Sequence, residues 1–167
     1  MEQTSKKPIR SGLPKYQVEM AGVYWVASQL CRHGLVPSIL PRNAPRIDVP
    51  VTDIEGRLHA TLQVKTRSDK QGWMVGWFKP GFDIHAGPRH FYVFVDLSTE
   101  TISALVVPSR IVKTVCMSEA NSWSRKLTRR GTQRKTFPVS VNLNKHTDLE
   151  QYRERWDLVG RLKSRLR

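Results

Sequence analysis

Glu19, Asp48, Gln63 and Lys65 are the residues of this chain whose types and spacing could do chemistry together. Gln63 and Lys65 share the polar face of an alternating run, Leu58 to Thr66, which places them roughly 7 Å apart along an extended chain. Asp48 belongs to a second alternating run, Arg46 to Thr52, in which Ile47, Val49 and Val51 form one face and Arg46, Asp48 and Pro50 the other. Asp53-Ile54-Glu55-Gly56 between the runs reads as a hairpin connection, so pairing them brings Asp48 near Gln63 or Lys65. Glu19 falls on the stripe Glu19, Val23, Val26, Leu30 of an expected helix, an odd place for a carboxylate. Two carboxylates and an amide oxygen are hard ligands that suit Mg²⁺ or Mn²⁺ with waters completing the shell. Such an ion polarises a phosphate and lowers the pKa of a bound water. Lys65 would position that water or offset charge on the phosphorane oxygens.

Each residue also has a purely structural alternative. Glu19 would serve as a first-turn carboxylate favoured by the helix dipole. Asp48 would pair with Arg46 or Arg67, and Gln63 and Lys65 would line a solvated strand face.

The elements that must carry these side chains follow from periodicity and punctuation. Residues 1–13, with Lys6, Lys7, Pro8 and Gly12, read as a flexible basic arm. A helix is expected from Lys15 to His33, stopped by Gly34, then a short strand from Leu35 to Leu40 ended by Pro41. The two alternating runs follow, with Pro50 pointing to an edge or irregular strand. Residues 67–89 read as a polar loop region whose Trp73 and Trp77, four apart beside Lys70, Lys79 and Arg89, could stack on unpaired bases but are expected to pack in the core. Strands are expected at His90–Leu97, Thr101–Val107 and Pro138–Leu143, a helix from Pro108-Ser109, and a last helix from about Thr147. The result is one α/β (α+β) domain over residues 14–160, a mixed central sheet flanked by helices, with a basic tail at 161–167.

Charge narrows the partner. Twenty-eight Lys and Arg against fourteen Asp and Glu give a formal net charge of +14. That excess attracts phosphate backbones by steering and counterion release. Arg125, Lys126, Arg129, Arg130, Arg134 and Lys135 stand in one segment without an acidic residue, and Gly131 permits close backbone approach. That segment and the arm carrying Lys6 and Lys7 are the expected nucleic-acid contacts; a merely solvated charge run is the plainer alternative. Cys31 and Cys116 form no CxxC pair and read as buried small hydrophobes. No HExxH, Walker-type or Rossmann glycine motif occurs, which argues against a zinc hydrolase and against a nucleotide cofactor. His59 shares a face with Lys65 and is a weaker candidate for a general base. No apolar run reaches the roughly 18 residues of a membrane span, so no membrane association and a cytoplasmic location are expected.

Glu19, then Arg46-Ile47-Asp48, then Gln63-Val64-Lys65-Thr66 resembles the PD-(D/E)xK nuclease superfamily in its Gln-x-Lys variant, as in Mrr-like restriction endonucleases. Related spacing occurs in archaeal Holliday-junction resolvases. The resemblance spans roughly residues 15–107. It implies a restriction-endonuclease-like core and hydrolysis of nucleic-acid, preferentially DNA, phosphodiesters with Mg²⁺ or Mn²⁺. Glu19, Asp48 and Gln63 would be metal ligands and Lys65 the catalytic lysine; a homodimer would be needed for two-strand cleavage. Gln63 stands where that superfamily more often has a carboxylate, removing one negative charge and weakening cation binding. A nucleic-acid-binding module that kept the fold and lost the chemistry is the alternative. A partner that docks an acidic protein is a third.

Overall fold

The computed structural model describes residues 12–42, 44–132 and 134–160. Helix α1 (Lys15–Arg32) buries Val18, Gly22, Val23, Val26 and Leu30, a stripe at three- and four-residue spacing. It stops as expected: Gly34 takes φ 72°, and the Leu35 N–H donates back to the Leu30 carbonyl at 3.0 Å.

Strands β1 (Val36–Pro37), β2 (Val49–Thr52) and β3 (Leu58–Arg67) then pair antiparallel in sequence order. In the β2–β3 turn, Asp53 Oδ1 accepts the N–H groups of Glu55 at 3.1 Å and Arg57 at 2.9 Å, and Gly56 supplies φ 78°. After β4 (Trp73–Phe78) the chain returns as β5 (His90–Asp96), parallel to β3, and β6 (Ser103–Pro108) closes antiparallel on β5. The main sheet has the order β1-β2-β3-β5-β6. Helix α2 (Ser109–Ser124) follows, then β7 (Phe137–Val141), which pairs with β4 in a separate two-stranded sheet. A 3₁₀ turn at Thr147–Tyr152 and a short helix α3 (Asp157–Gly160) complete the described chain. The protein is α+β, with a mixed sheet and helices.

Strand alternation divides the interior into two cores. Ala60, Leu62 and Val64 of β3, with Phe91, Val93 and Val95 of β5, face α1, Trp156 and Val159. Tyr92 and Phe94 of β5, with Leu105 and Val107 of β6, face α2 and the β4–β7 ribbon. Covered on both faces, β5 is buried at every residue from His90 to Asp96, which is why it reads as a continuous apolar run.

Several expectations change. The stretch 67–89 contains a strand, not only loop. Trp73 anchors it: its indole Nε1 donates to the Val95 carbonyl at 2.7 Å, and the Arg67 guanidinium lies 3.7 Å from its ring centre. The register shifts between Met74 and Gly76, so the alternation that betrays a strand is broken there. Trp73 is in the core, but Trp77 points out and is 55% exposed. β1 keeps only two residues of Leu35–Leu40, β2 starts at Val49 because Arg46 adopts φ 67°, and the last helix resolves into a 3₁₀ turn and α3. Cys116 is buried but Cys31 is exposed.

Helix α1 sits against β3 through a missing side chain. A Cβ on Gly22 would fall 1.9 Å from Thr66 Oγ1 and within 3 Å of two further Thr66 carbons. Gly22→Ala therefore destabilises the fold despite the better helix propensity of alanine, by about 1–3 kcal/mol of overpacking. Urea unfolding checks this, and adding Thr66→Ala recovers part of the loss. An unchanged midpoint in the single variant contradicts the helix placement.

Candidate active site

A cavity of about 290 Å³ opens where α1, the segment before β2, β3 and β4 meet. Glu19, Asp48, Gln63 and Lys65 all line it, with Met74, Val75 and Gly76 forming the wall on the β4 side. The four polar residues come from three separate pieces of chain, and each is held there for a local reason.

Asp48 lies one residue before β2 and is pinned on both sides. Its N–H donates to the Leu62 carbonyl and its carbonyl accepts the Leu40 N–H, both at 2.9 Å. Its side chain turns back onto the neighbouring strand, where Oδ2 accepts the Val64 N–H at 2.7 Å. Gln63 and Lys65 flank Val64 and point away from the α1 core, because Val64 itself belongs to that core. Both are half-buried rather than solvated. Glu19 comes from the second turn of α1, whose first turn holds no acidic residue, so a first-turn dipole role does not describe it. It pairs with Arg42 Nη2 at 3.1 Å and Lys15 Nζ at 3.6 Å. Arg67 pairs with Asp96 instead of Asp48.

The electrostatics bind these groups together. Burial raises the Asp48 pKa above the ordinary carboxylate value; the Val64 N–H and Lys65 oppose the rise and Glu19 adds to it. Burial lowers the Lys65 pKa, while Asp48 and Glu19 favour its charged form and Lys15 disfavours it. A carboxylate pushed up and an ammonium pushed down in one cleft is the pattern of groups poised for proton or charge chemistry.

The donor set is oxygen only. Among the described residues, no group of three or more His, Cys, Asp or Glu could hold a metal ion. A divalent cation here would therefore rest on the two carboxylates, the Gln63 amide oxygen and water, a set that fits a hard ion and offers less charge than three carboxylates. His59 does not line the cavity; it sits at the β2–β3 turn with Nε2 3.1 Å from Asp53 Oδ2.

The basic segment lies after α2. Thr128 and Thr132 close a turn: the Thr128 N–H donates to the Thr132 carbonyl at 2.8 Å and their hydroxyls are 2.7 Å apart. Gly131 turns the chain with φ 75°, and Arg129 and Arg130 stand exposed on it, as do Arg125 and Lys135 at its flanks. Lys126 Nζ and the Arg134 guanidinium lie 4.9 and 5.0 Å from the Trp123 ring centre. Lys6 and Lys7 fall outside the described residues. The contribution of β4 to the cavity wall, and of Arg42 and Lys15 to the Glu19 environment, escapes sequence reasoning. The pair Lys15 and Glu19, four apart on a helix, was the one available signal.

Comparison with protein-family models, with curated proteins and with solved structures finds no match. Among the described residues, no helix is long and apolar enough to cross a membrane.

Asp48 and Lys65 are predicted to titrate as neighbours. Asp48→Asn removes a negative charge that favours the ammonium, so the already lowered Lys65 pKa falls further. NMR titration of the lysine side chains reads this directly. An unmoved Lys65 resonance would mean that the two groups do not share a site.

Proposed function

We propose that this protein is a metal-dependent phosphodiesterase acting on nucleic acid, with DNA as the preferred substrate, built on a restriction-endonuclease-like core. The observation that carries the reading is that Glu19, Asp48, Gln63 and Lys65, drawn from α1, the lead into β2, and β3, line one cavity. Support for the core comes from the order of elements: a helix, three antiparallel strands, then a strand parallel to the third. Support for the substrate comes from the net charge of +14 and from the exposed arginines of the turn after α2.

Within this reading Asp48, Glu19 and the Gln63 amide oxygen hold Mg²⁺ or Mn²⁺, which when bound polarises the phosphate and acidifies water. Asp48 is prepared for a cation: burial opposes its ionisation, and a nearby positive charge reverses that. The Val64 N–H fixes one of its oxygens, so the carboxylate is oriented before any ligand arrives. Glu19 must loosen its contacts with Arg42 and Lys15 to contribute, which leaves those two cations available to phosphate oxygens. Lys65 donates to the phosphate or to the attacking water; its half-buried position strengthens that interaction relative to bulk solvent. Glu19, Asp48, Gln63 and Lys65 form one such site per chain, so concerted cutting of both strands of a duplex would use a second copy.

One observation favours a second reading, a binding module without catalysis. Gln63 gives the site two carboxylates instead of three, and Glu19 is already neutralised by two cations. The two readings part in one assay. With supercoiled plasmid and Mg²⁺ or Mn²⁺, the wild type nicks, EDTA abolishes nicking, and Lys65→Ala and Asp48→Ala each reduce the rate by at least about 10²-fold while retaining binding. Binding without nicking in any metal assigns the protein to the second reading.

The pH profile of cleavage carries its own expectation. Activity needs Lys65 protonated, and burial lowers its pKa, so the alkaline limb falls below the range of free lysine; a bound cation favours ionised Asp48, so burial of that carboxyl does not move the acid limb inward. Activity is therefore lost at lower pH than free lysine would give; a profile flat up to the ordinary lysine range argues against Lys65 as the charged participant.

Binding itself has a salt signature. Replacing Arg129 and Arg130 together with alanine lowers the slope of log affinity against log salt by roughly 1–2 for a duplex probe. An unchanged slope removes the turn after α2 from the interface.

A further inference from the structure

The β4–β7 ribbon separates two cavities. Met74, Val75 and Gly76 line the one that holds Asp48 and Lys65. Across the ribbon, Pro138, Val139 and Ser140 line a second of about 120 Å³ walled by Trp123. The register makes these residues direct neighbours: Met74 faces Ser140, Gly76 faces Val139, and Trp77 faces Pro138. Adjacent strands lie about 4.8 Å apart, so the strip between the cavities is only two strands wide.

That strip has an inner and an outer side. Trp73, Phe137, Val139 and Val141 are buried beneath it, whereas Met74 is 40% and Trp77 55% exposed, and Pro138 is exposed beside Trp77. Tryptophan is usually well covered, and an indole more than half open to water is an apolar surface without its partner. The surroundings are cationic. Lys79 follows β4, Lys135 precedes β7, and Lys126 and Arg134 crowd the ring of Trp123. The one carboxylate lining the second cavity, Glu119, is already matched by Lys145 at 3.7 Å and His146 at 3.2 Å. Aromatic faces spaced along a basic surface are what unpaired bases on a phosphate backbone recognise.

We propose that the outer face of the β4–β7 ribbon is a track for single-stranded nucleic acid. Trp77 stacks on an unpaired base next to the phosphate held in the Asp48–Lys65 cavity, and Trp123 with its two cations takes the strand on the far side. The inference rests on the nucleic-acid reading above and narrows it to substrates with an unpaired strand at the site. A continuous duplex keeps its bases stacked on one another and offers none to an indole.

The test is binding of the whole 167-residue chain, in EDTA, to a fluorescein-labelled DNA oligonucleotide as a single strand and as the matching duplex. The wild type binds the single strand more tightly. Trp77→Ala weakens that binding by about tenfold or more with little change for the duplex, and Trp77→Phe retains most of it. Trp123→Ala gives a second, smaller loss. Because Trp77 is exposed, thermal unfolding of its variants stays at the wild-type midpoint, which separates lost stacking from lost fold. Equal or tighter binding of the duplex, or an alanine variant that binds the single strand like the wild type, overturns the track. So does a dimer of the free protein that dissociates on Trp77→Ala, since a second copy would then be what covers the indole. Selective loss of binding in a protein that nicks nothing upholds the track and removes catalysis. Nicking in metal with no effect of Trp77→Ala on binding does the reverse.

Discussion

The two-residue period of β3 is the constraint on which the rest depends. Its even positions, Ala60, Leu62 and Val64, complete the core under α1, and its odd positions, Gln63 and Lys65, open into the cavity. A slip of one residue would send an amide and an ammonium into the α1 core and expose Leu62 and Val64. Burial of each large apolar side chain is worth about 1.5–3 kcal/mol, so that slip is strongly disfavoured. The register is also held from both sides: Val49 pairs with Leu62 in β2, and Val93 with Val64 in β5. Packing of residues with no chemistry thus fixes the direction of those that have it.

The same arithmetic explains why the site is tense. Asp48 gives one oxygen to the Val64 N–H, and so its orientation is a by-product of strand pairing. In exchange it loses water, and its pKa rises; Lys65 loses water too, and its pKa falls. Neither shift helps the fold, because each records a charged form held at a disadvantage. The contrast with Asp96 is instructive. Burial opposes its ionisation as well, but Arg67 and the Ser98 side chain and N–H outweigh burial, and its pKa is lowered. Asp96 is a satisfied structural ion pair, whereas Asp48 and Lys65 are left partly uncompensated in a cleft. That difference separates groups that serve the structure from groups available to a ligand.

Much of this was legible in the chain. Leu58–Thr66 announces its two faces, His90–Leu97 announces an apolar strand, and Gly34 announces the end of α1. The residue types of the candidate site were legible for the same reason, since a polar residue on a regular alternation declares its direction. What failed did so where the backbone departs from regularity. The bulge at Val75 hides β4, the positive φ of Arg46 truncates β2, and a 3₁₀ turn replaces the expected last helix. Trp73 and Trp77 show the limit most clearly: alike in sequence and four apart, one is sealed beneath β4 and the other stands on its outside. The shifted register puts them on opposite sides, and no periodicity argument carries across a bulge.

β4 shows how the crossover shapes the cavity. Parallel strands β3 and β5 require a connection that passes over one face of the sheet, a task that usually falls to a helix. Here a strand takes part of it, tied down at Trp73 by the Val95 carbonyl and by the Arg67 guanidinium, which also pairs with Asp96. A helix would present a thick cylinder to the sheet, about 10 Å across with its side chains. A strand is thinner, so the face carrying Gln63 and Lys65 stays open where β4 passes it, and the absent side chain of Gly76 lets Phe82 pack close against the strand. The bulge then twists the ribbon so that Met74 and Trp77 face solvent beside that opening. The cavity and the aromatic surface next to it are therefore two results of one choice of connection.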